Sequence, residues 1–96
     1  MSNFIGYTVG LECLINDSIK MIKCEYSRID SGVMIHAVSG NNLGRIGGGY
    51  SKKISQEAFE TRPIDTYNST REAIWALKQI GLTPSACEEN DREIDQ

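Results

Sequence analysis

The chain has 96 residues and a net charge of −3, with 40% hydrophobic and 24% charged residues. This length corresponds to one domain, and this composition excludes wholesale disorder. No apolar run approaches the roughly 20 residues of a membrane-spanning helix, and no basic stretch precedes a hydrophobic one at the N-terminus. We therefore expect a cytoplasmic domain with no membrane contact, in a host cytoplasm if a phage encodes it.

The negative charge is concentrated at the C-terminus. Residues 85–96 hold five acidic residues and one basic residue, a balance of −4, whereas residues 1–84 carry a balance of +1. So short and polar a segment buries too little apolar surface to offset the entropy of ordering it. We expect a single α+β domain over residues 1–84. Residues 85–96 are expected to form an acidic, flexible tail, in which Glu88, Glu89 and Asp91 are candidate contacts for a partner.

The first half of the domain predicts a β-hairpin. Residues 7–15 alternate as a half-buried strand does, and residues 19–29 follow as its partner. Asn16 and Asp17 tolerate positive φ and suit a two-residue turn, although a turn at Asp17 and Ser18 keeps the same side chains on the same face. The first register predicts three pairs on the core face: Tyr7 with Tyr26, Val9 with Cys24, and Leu11 with Ile22.

Further strands extend this hairpin into an antiparallel meander of three to four strands. The opposite face of the hairpin, with Thr8 and Glu12, is expected to be the wetter one. A tight turn at residues 30–32 leads into a third strand at residues 33–38, which is apolar on both faces and is therefore expected to be central or to have both of its sides covered. A fourth strand falls within residues 43–54, where a cluster of glycines interrupts any regular pairing.

One long C-terminal helix is expected to pack on one face of this sheet. Ser69 and Glu72 have the spacing of a capping box, and an apolar stripe at positions 73, 77 and 80 follows. Gly81, Leu82 and Pro84 predict a Schellman ending and forbid continuation. A shorter helix capped by Ser51, or alternatively an edge strand, is predicted at about 51–61.

The titratable and sulfur-bearing residues form no catalytic or metal-binding pattern. His36, the single histidine, lies in the middle of a strand, and Cys13 and Cys24 fall on the core face, where a thiol is an inert small hydrophobe. Cys87 has no basic neighbour that would activate it. No CxxC pair or other zinc spacing is present. We predict no enzymatic activity, no cofactor and no metal.

A run of glycines followed by two lysines is the most distinctive motif. The sequence GGGYSKK at residues 47–53 resembles the GxGxSKK segment that opens the last helix of double-stranded-RNA-binding domains, which implies that Lys52 and Lys53 clamp phosphates. The preceding GRIG at residues 44–47 is similar to the GxxG loop of KH domains. Alternatively, the glycine-rich loop serves as a nest for a small anionic ligand. The candidate binding residues here are Arg45, Gly47, Gly48, Gly49, Tyr50, Lys52 and Lys53.

Trp75 is the last candidate contact, because it flanks the helix stripe, where a tryptophan either completes a core or anchors a partner.

Without a catalytic set of residues, we predict a small binding protein that acts through protein–protein contact. By size and charge it is similar to phage or mobile-element inhibitors of host defence or regulatory complexes. The alternatives are a double-stranded-RNA-type nucleic-acid-binding module and a binder of small anionic ligands. A homodimer would extend the small core.

Overall fold

The computed structural model describes residues 3–39 and 50–85. Within these residues the elements run in the order β1 (Phe4–Tyr7), β2 (Leu11–Ile15), β3 (Ser18–Ile29), β4 (Gly32–Ser39), β5 (Ser51–Ile54), α1 (Gln56–Glu60) and α2 (Thr70–Gln79). The strands form one antiparallel sheet in the order β1–β3–β4–β5, and β2 pairs with the same edge of β3 as β1. An α+β architecture with an antiparallel sheet is confirmed.

The core lies between one face of the sheet and the two helices. Alternate residues of β2, β3 and β4 turn towards the helices because side chains of a strand project to opposite faces in turn. β4 is central, as predicted from its apolar character, and pairs with β3 and β5. The core cluster comprises Cys13, Ile15, Ile22, Cys24, Tyr26, Val33, Ile35, Ala37, Phe59, Ala76, Leu77, Ile80 and Leu82.

The β2–β3 turn adopts the predicted two-residue form. Asn16 and Asp17 have φ values of 50° and 65°, and Ile15 pairs with Ser18. Two consecutive positive φ values match the right-handed twist of the flanking strands. The predicted pairing of Leu11 with Ile22 is confirmed.

Towards the N-terminus the predicted register is wrong by one residue. Tyr7 pairs with Glu25 rather than with Tyr26, so residues 8–10 accommodate one extra residue relative to β3. The cause is Thr8, whose side-chain oxygen accepts a hydrogen bond from the Cys24 amide at 3.0 Å. Thr8 is consequently buried, whereas Tyr7 and Val9, expected in the core, are 43% and 44% exposed.

The long C-terminal helix is not observed in the part of the chain that the structure describes, where α2 spans ten residues. Its C-terminal end is the predicted Schellman motif: the Leu82 amide donates to the Leu77 carbonyl at 2.9 Å, and Gly81 has a φ of 88°. At its N-terminal end, Ser69 has helical backbone angles and makes no side-chain capping bond. The Asn68 side chain instead accepts from the Thr70 amide.

Residues 51–61 divide into a strand and a helix. Ser51 begins β5, so the predicted cap at Ser51 is wrong, and Ser55 caps α1 by accepting from the Ala58 amide at 3.0 Å. The fourth strand, predicted within residues 43–54, is observed over Ser51–Ile54, and residues 43–49 lie outside the described ranges.

Candidate binding surface

The sheet face opposite α1 and α2, here called the open face, is the strongest candidate site. Directly paired residues project from the same face, so the register assigns each side chain to a side. Tyr7, Glu25, His36 and Ser51 form one row across the open face. The strand residues of the core cluster, which also contains the buried helix residues, belong to the alternate set. One member of the open face, Val38 near the end of β4, is nevertheless buried.

Large apolar side chains occupy the open face near the β2–β3 turn and along β1. Leu14 and Ile19 pair directly, and Met21 lies one row further along. Phe4 and Tyr7 pair with residues of the same face of β3. We call this set the apolar patch, and its five members are between 43% and 64% exposed. It comprises Phe4, Tyr7, Leu14, Ile19 and Met21.

The aromatic end of the apolar patch is held in place by its neighbours. The rings of Phe4 and Tyr7 lie 4.9 Å apart between centroids, and the Lys23 ammonium lies 4.1 Å from the centroid of the Tyr7 ring. An ammonium over an aromatic face is attracted by the ring quadrupole. These contacts already restrict the two rings. Covering them with a partner therefore costs less side-chain conformational entropy than covering freely rotating side chains would.

A wide shallow groove of about 370 Å³ borders the patch at Phe4. Its polar lining includes Ser27, Arg28 and His36, and Met34 contributes an apolar wall. Sites for small molecules normally enclose most of the ligand surface, which an open groove does not. Its shape is better suited to the side chains of another protein than to a metabolite.

The two lysines of the RNA-binding resemblance lie on a strand rather than at a helix N-terminus. Lys52 pairs with the core residue Ile35, and Lys53 pairs with Met34 on the open face. The two ammonium groups therefore project from opposite faces of the sheet, and α1 begins only at Gln56. This arrangement does not reproduce the phosphate clamp that the resemblance implies.

The remaining predicted contacts divide between the core and the undescribed residues. Tyr50 and Trp75 are half-buried and pack against the core cluster. Arg45, the glycines of the loop and the acidic tail residues lie outside the described residues. The tail residues concerned are Glu88, Glu89 and Asp91, and the glycines are Gly47, Gly48 and Gly49.

The buried thiols offer no reactive group. Burial raises the pKa of the Cys13 thiol to about 11 and that of the Cys24 thiol to about 12, so both are protonated near neutral pH. Within residues 3–39 and 50–85, no three side chains of His, Cys, Asp or Glu come together as metal ligands would. These positions accordingly contribute packing rather than chemistry.

One polar cluster connects the sheet to both helices. The Tyr26 hydroxyl donates to Glu72 Oε2 at 2.7 Å, and Arg62 Nε donates to the same oxygen at 2.9 Å. The Arg62 guanidinium also lies 3.9 Å from the centroid of the Phe59 ring. Burial, together with the hydrogen bond to Glu72, raises the pKa of the Tyr26 phenol well above its ordinary value. The Tyr26 phenol stays protonated, and the Glu72 carboxylate is already paired with Arg62. The contact between Tyr26 and Glu72 is therefore a structural link and not an acid–base pair.

Comparison with known proteins yields no relative: no protein-family model matches the chain, and no curated protein or solved structure is significantly similar to it. Among the described residues, no helix combines the length and apolarity needed to cross a bilayer. The surface must therefore be interpreted from its own chemistry.

The apolar patch was not predicted, although the sequence carries a signal for part of it. The outer face of the predicted hairpin is mostly polar. Three large apolar residues occupy positions on that face: Leu14, Ile19 and Met21. Tyr7 could not be assigned to that face, because the one-residue shift at residues 8–10 involves a side-chain hydrogen bond that alternation does not reveal. Phe4 shares the face with Tyr7 only because a second register shift lies between Phe4 and Gly6.

Proposed function

We propose that this chain is a small non-enzymatic binding protein that acts through protein–protein contact at the open face of its sheet. The observation that carries the proposal is the apolar patch, because several large exposed apolar side chains on one sheet face, interspersed with charged ones, are typical of interaction surfaces. The same face carries four charged side chains, of which Lys23 and Glu25 lie between the two ends of the patch along β3; the other two are Glu12 and Lys53.

The open face is favoured over the sheet edges as the contact. The β5 edge is four residues long and carries two lysines, and an isolated bridge between Cys13 and Pro84 covers part of β2. A register shift lies within β1. Short length, lysines, bulges and covering segments all disfavour the addition of another strand.

Capture from a lysate of the source cells, with and without nuclease, tests the proposal. We expect the wild-type chain to retain a specific protein after nuclease treatment and the double variant Leu14→Lys, Ile19→Lys to lose it. Ile64→Lys is the matched control, because Ile64 is 65% exposed but lies outside the sheet.

Two results would count against the proposal. Equal capture by the wild type and the double variant would exclude the apolar patch as the contact. A protein lost on nuclease treatment would point to a nucleic acid, as would binding that falls steeply with salt and depends on Lys52 and Lys53. The more specific role of a phage or mobile-element inhibitor is a prediction from size and charge, and an identified partner would decide it.

A further inference from the structure

The described strand residues of the open face have a balanced distribution of charge, which bears on which protein covers it. Lys23 and Lys53 contribute two positive charges, and Glu12 and Glu25 contribute two negative charges on the same face. A partner with a surface of one dominant sign would leave half of these groups against like charge, which costs free energy at an interface. A surface with the same balance avoids this repulsion.

The area of the apolar patch also fits one half of an interface. Its five large side chains expose about half of their surface, which amounts to on the order of 500 Å². A standard interface buries roughly 800 Å² on each partner, of which a polar rim supplies the remainder. The charged residues that share the open face with the patch, two of which lie between its apolar ends, supply polar area of this kind.

The layer arrangement of the fold points in the same direction. Both described helices lie on one side of the sheet, so the other side presents a sheet face of the kind that packs against a second sheet about 10 Å away. A domain of this size buries only about 60% of its unfolded surface by itself, so a second layer would add to a small core. Identical faces form such a layer when a two-fold axis relates them.

We propose that the protein covering the open face is a second copy of this chain, packed sheet against sheet as a two-fold symmetric dimer. This inference rests on the proposed function, since it names the partner of the same surface. The edges remain outside the contact, so the dimer contains two separate five-stranded sheets rather than one continuous sheet.

Light scattering on the purified full chain, across a micromolar to submillimolar concentration series, tests the inference. We expect twice the mass of one chain at high concentration. Leu14→Lys with Ile19→Lys should raise the dimer Kd at least about tenfold, and Ile64→Lys should leave it unchanged. Met21→Lys repeats the test with a single substitution if the double variant fails to fold by circular dichroism.

The outcomes separate the inference from the proposed function. A chain that stays monomeric throughout, or a dimer whose Kd the patch variants do not change, would overturn the inference. Patch-dependent capture of a different protein by a monomeric chain would overturn it too, while leaving the proposed function intact. If neither self-association nor capture depends on the apolar patch, both are wrong.

Discussion

At the scale of single residues, a few atoms decide where the chain departs from regular structure. Thr8 is the clearest case. Its amide donates to the Cys24 carbonyl at 2.9 Å, and its side-chain oxygen accepts from the Cys24 amide at 3.0 Å. The hydroxyl thus replaces a backbone acceptor at the point where the β1–β2 segment gains a residue, and the buried Cys24 amide keeps a hydrogen-bond partner.

Replacing Thr8 by valine should therefore be costly, although the two side chains have almost the same shape. Thr8→Val leaves the Cys24 amide buried without an acceptor, and we expect a loss of about 1–3 kcal/mol of unfolding free energy. Thr8→Ser keeps the hydroxyl and should lose less than about 1 kcal/mol. Urea denaturation measures both, and equal losses would show that the hydroxyl has no role in the register shift.

Gly32 is the second residue whose identity the fold requires. It begins β4 with a φ of 147°, and a Cβ at this position would collide with the carbonyl oxygen of Ile54 on β5. We expect Gly32→Ala to cost about 3 kcal/mol or more, from backbone strain and loss of the β4–β5 pairing.

Gly6 is the matched control for this substitution, since no atom lies within 4 Å of its added Cβ and its φ is not positive. Gly6→Ala should change the unfolding free energy by less than about 1 kcal/mol. Thermal unfolding of the two variants compares them directly. Similar stabilities would mean that β5 does not approach Gly32 as closely as described.

At the scale of elements, the ends of the helices were harder to predict than their existence. The apolar stripe and the Schellman ending of α2 follow from local pattern, and the structure buries Ala73, Leu77 and Ile80 as expected. The predicted capping box does not form. The Glu72 carboxylate instead accepts hydrogen bonds from Tyr26 and Arg62, which lie 46 and 10 residues away in the sequence. Local spacing cannot register such competition from tertiary partners.

The two serines that precede the helices should consequently differ in their effect on stability. Ser55→Ala removes the acceptor for the Ala58 amide at the start of α1 and should cost about 1 kcal/mol. Ser69→Ala should cost less than about 0.5 kcal/mol, because Ser69 makes no capping bond. Chemical denaturation of both variants gives the comparison, and a larger loss at Ser69 would restore the capping box.

At the scale of the whole molecule, a polar cluster joins the sheet to the helices in addition to the apolar core. Glu72 on α2 binds Tyr26 on β3 and Arg62, which follows α1, and both charged side chains are 21% exposed. Partial burial strengthens the attraction relative to a surface pair, and the second hydrogen bond from Tyr26 satisfies the carboxylate further.

A double-mutant cycle with Glu72→Gln and Arg62→Met should give a coupling of about 1 kcal/mol. Methionine retains much of the aliphatic packing against Phe59, so the cycle isolates the charged interaction. The exposed contact between Gln56 and Glu60 within α1 is the control, and its coupling should stay below about 0.5 kcal/mol. Equal couplings would show that the link adds nothing beyond a surface contact.

The sequence by itself determined the elements whose signal is local. Asn16 and Asp17 specify the hairpin turn, the apolar run of β4 specifies a central strand, and Gly81 specifies the end of α2, because each depends on backbone preferences or on the period of neighbouring side chains. Only the tertiary structure decided which face Tyr7 joins, that Glu72 leaves its helix cap, and that Lys52 and Lys53 separate. These outcomes depend on hydrogen bonds and strand pairings between residues far apart in the chain, whose free energies exceed the local preferences they override.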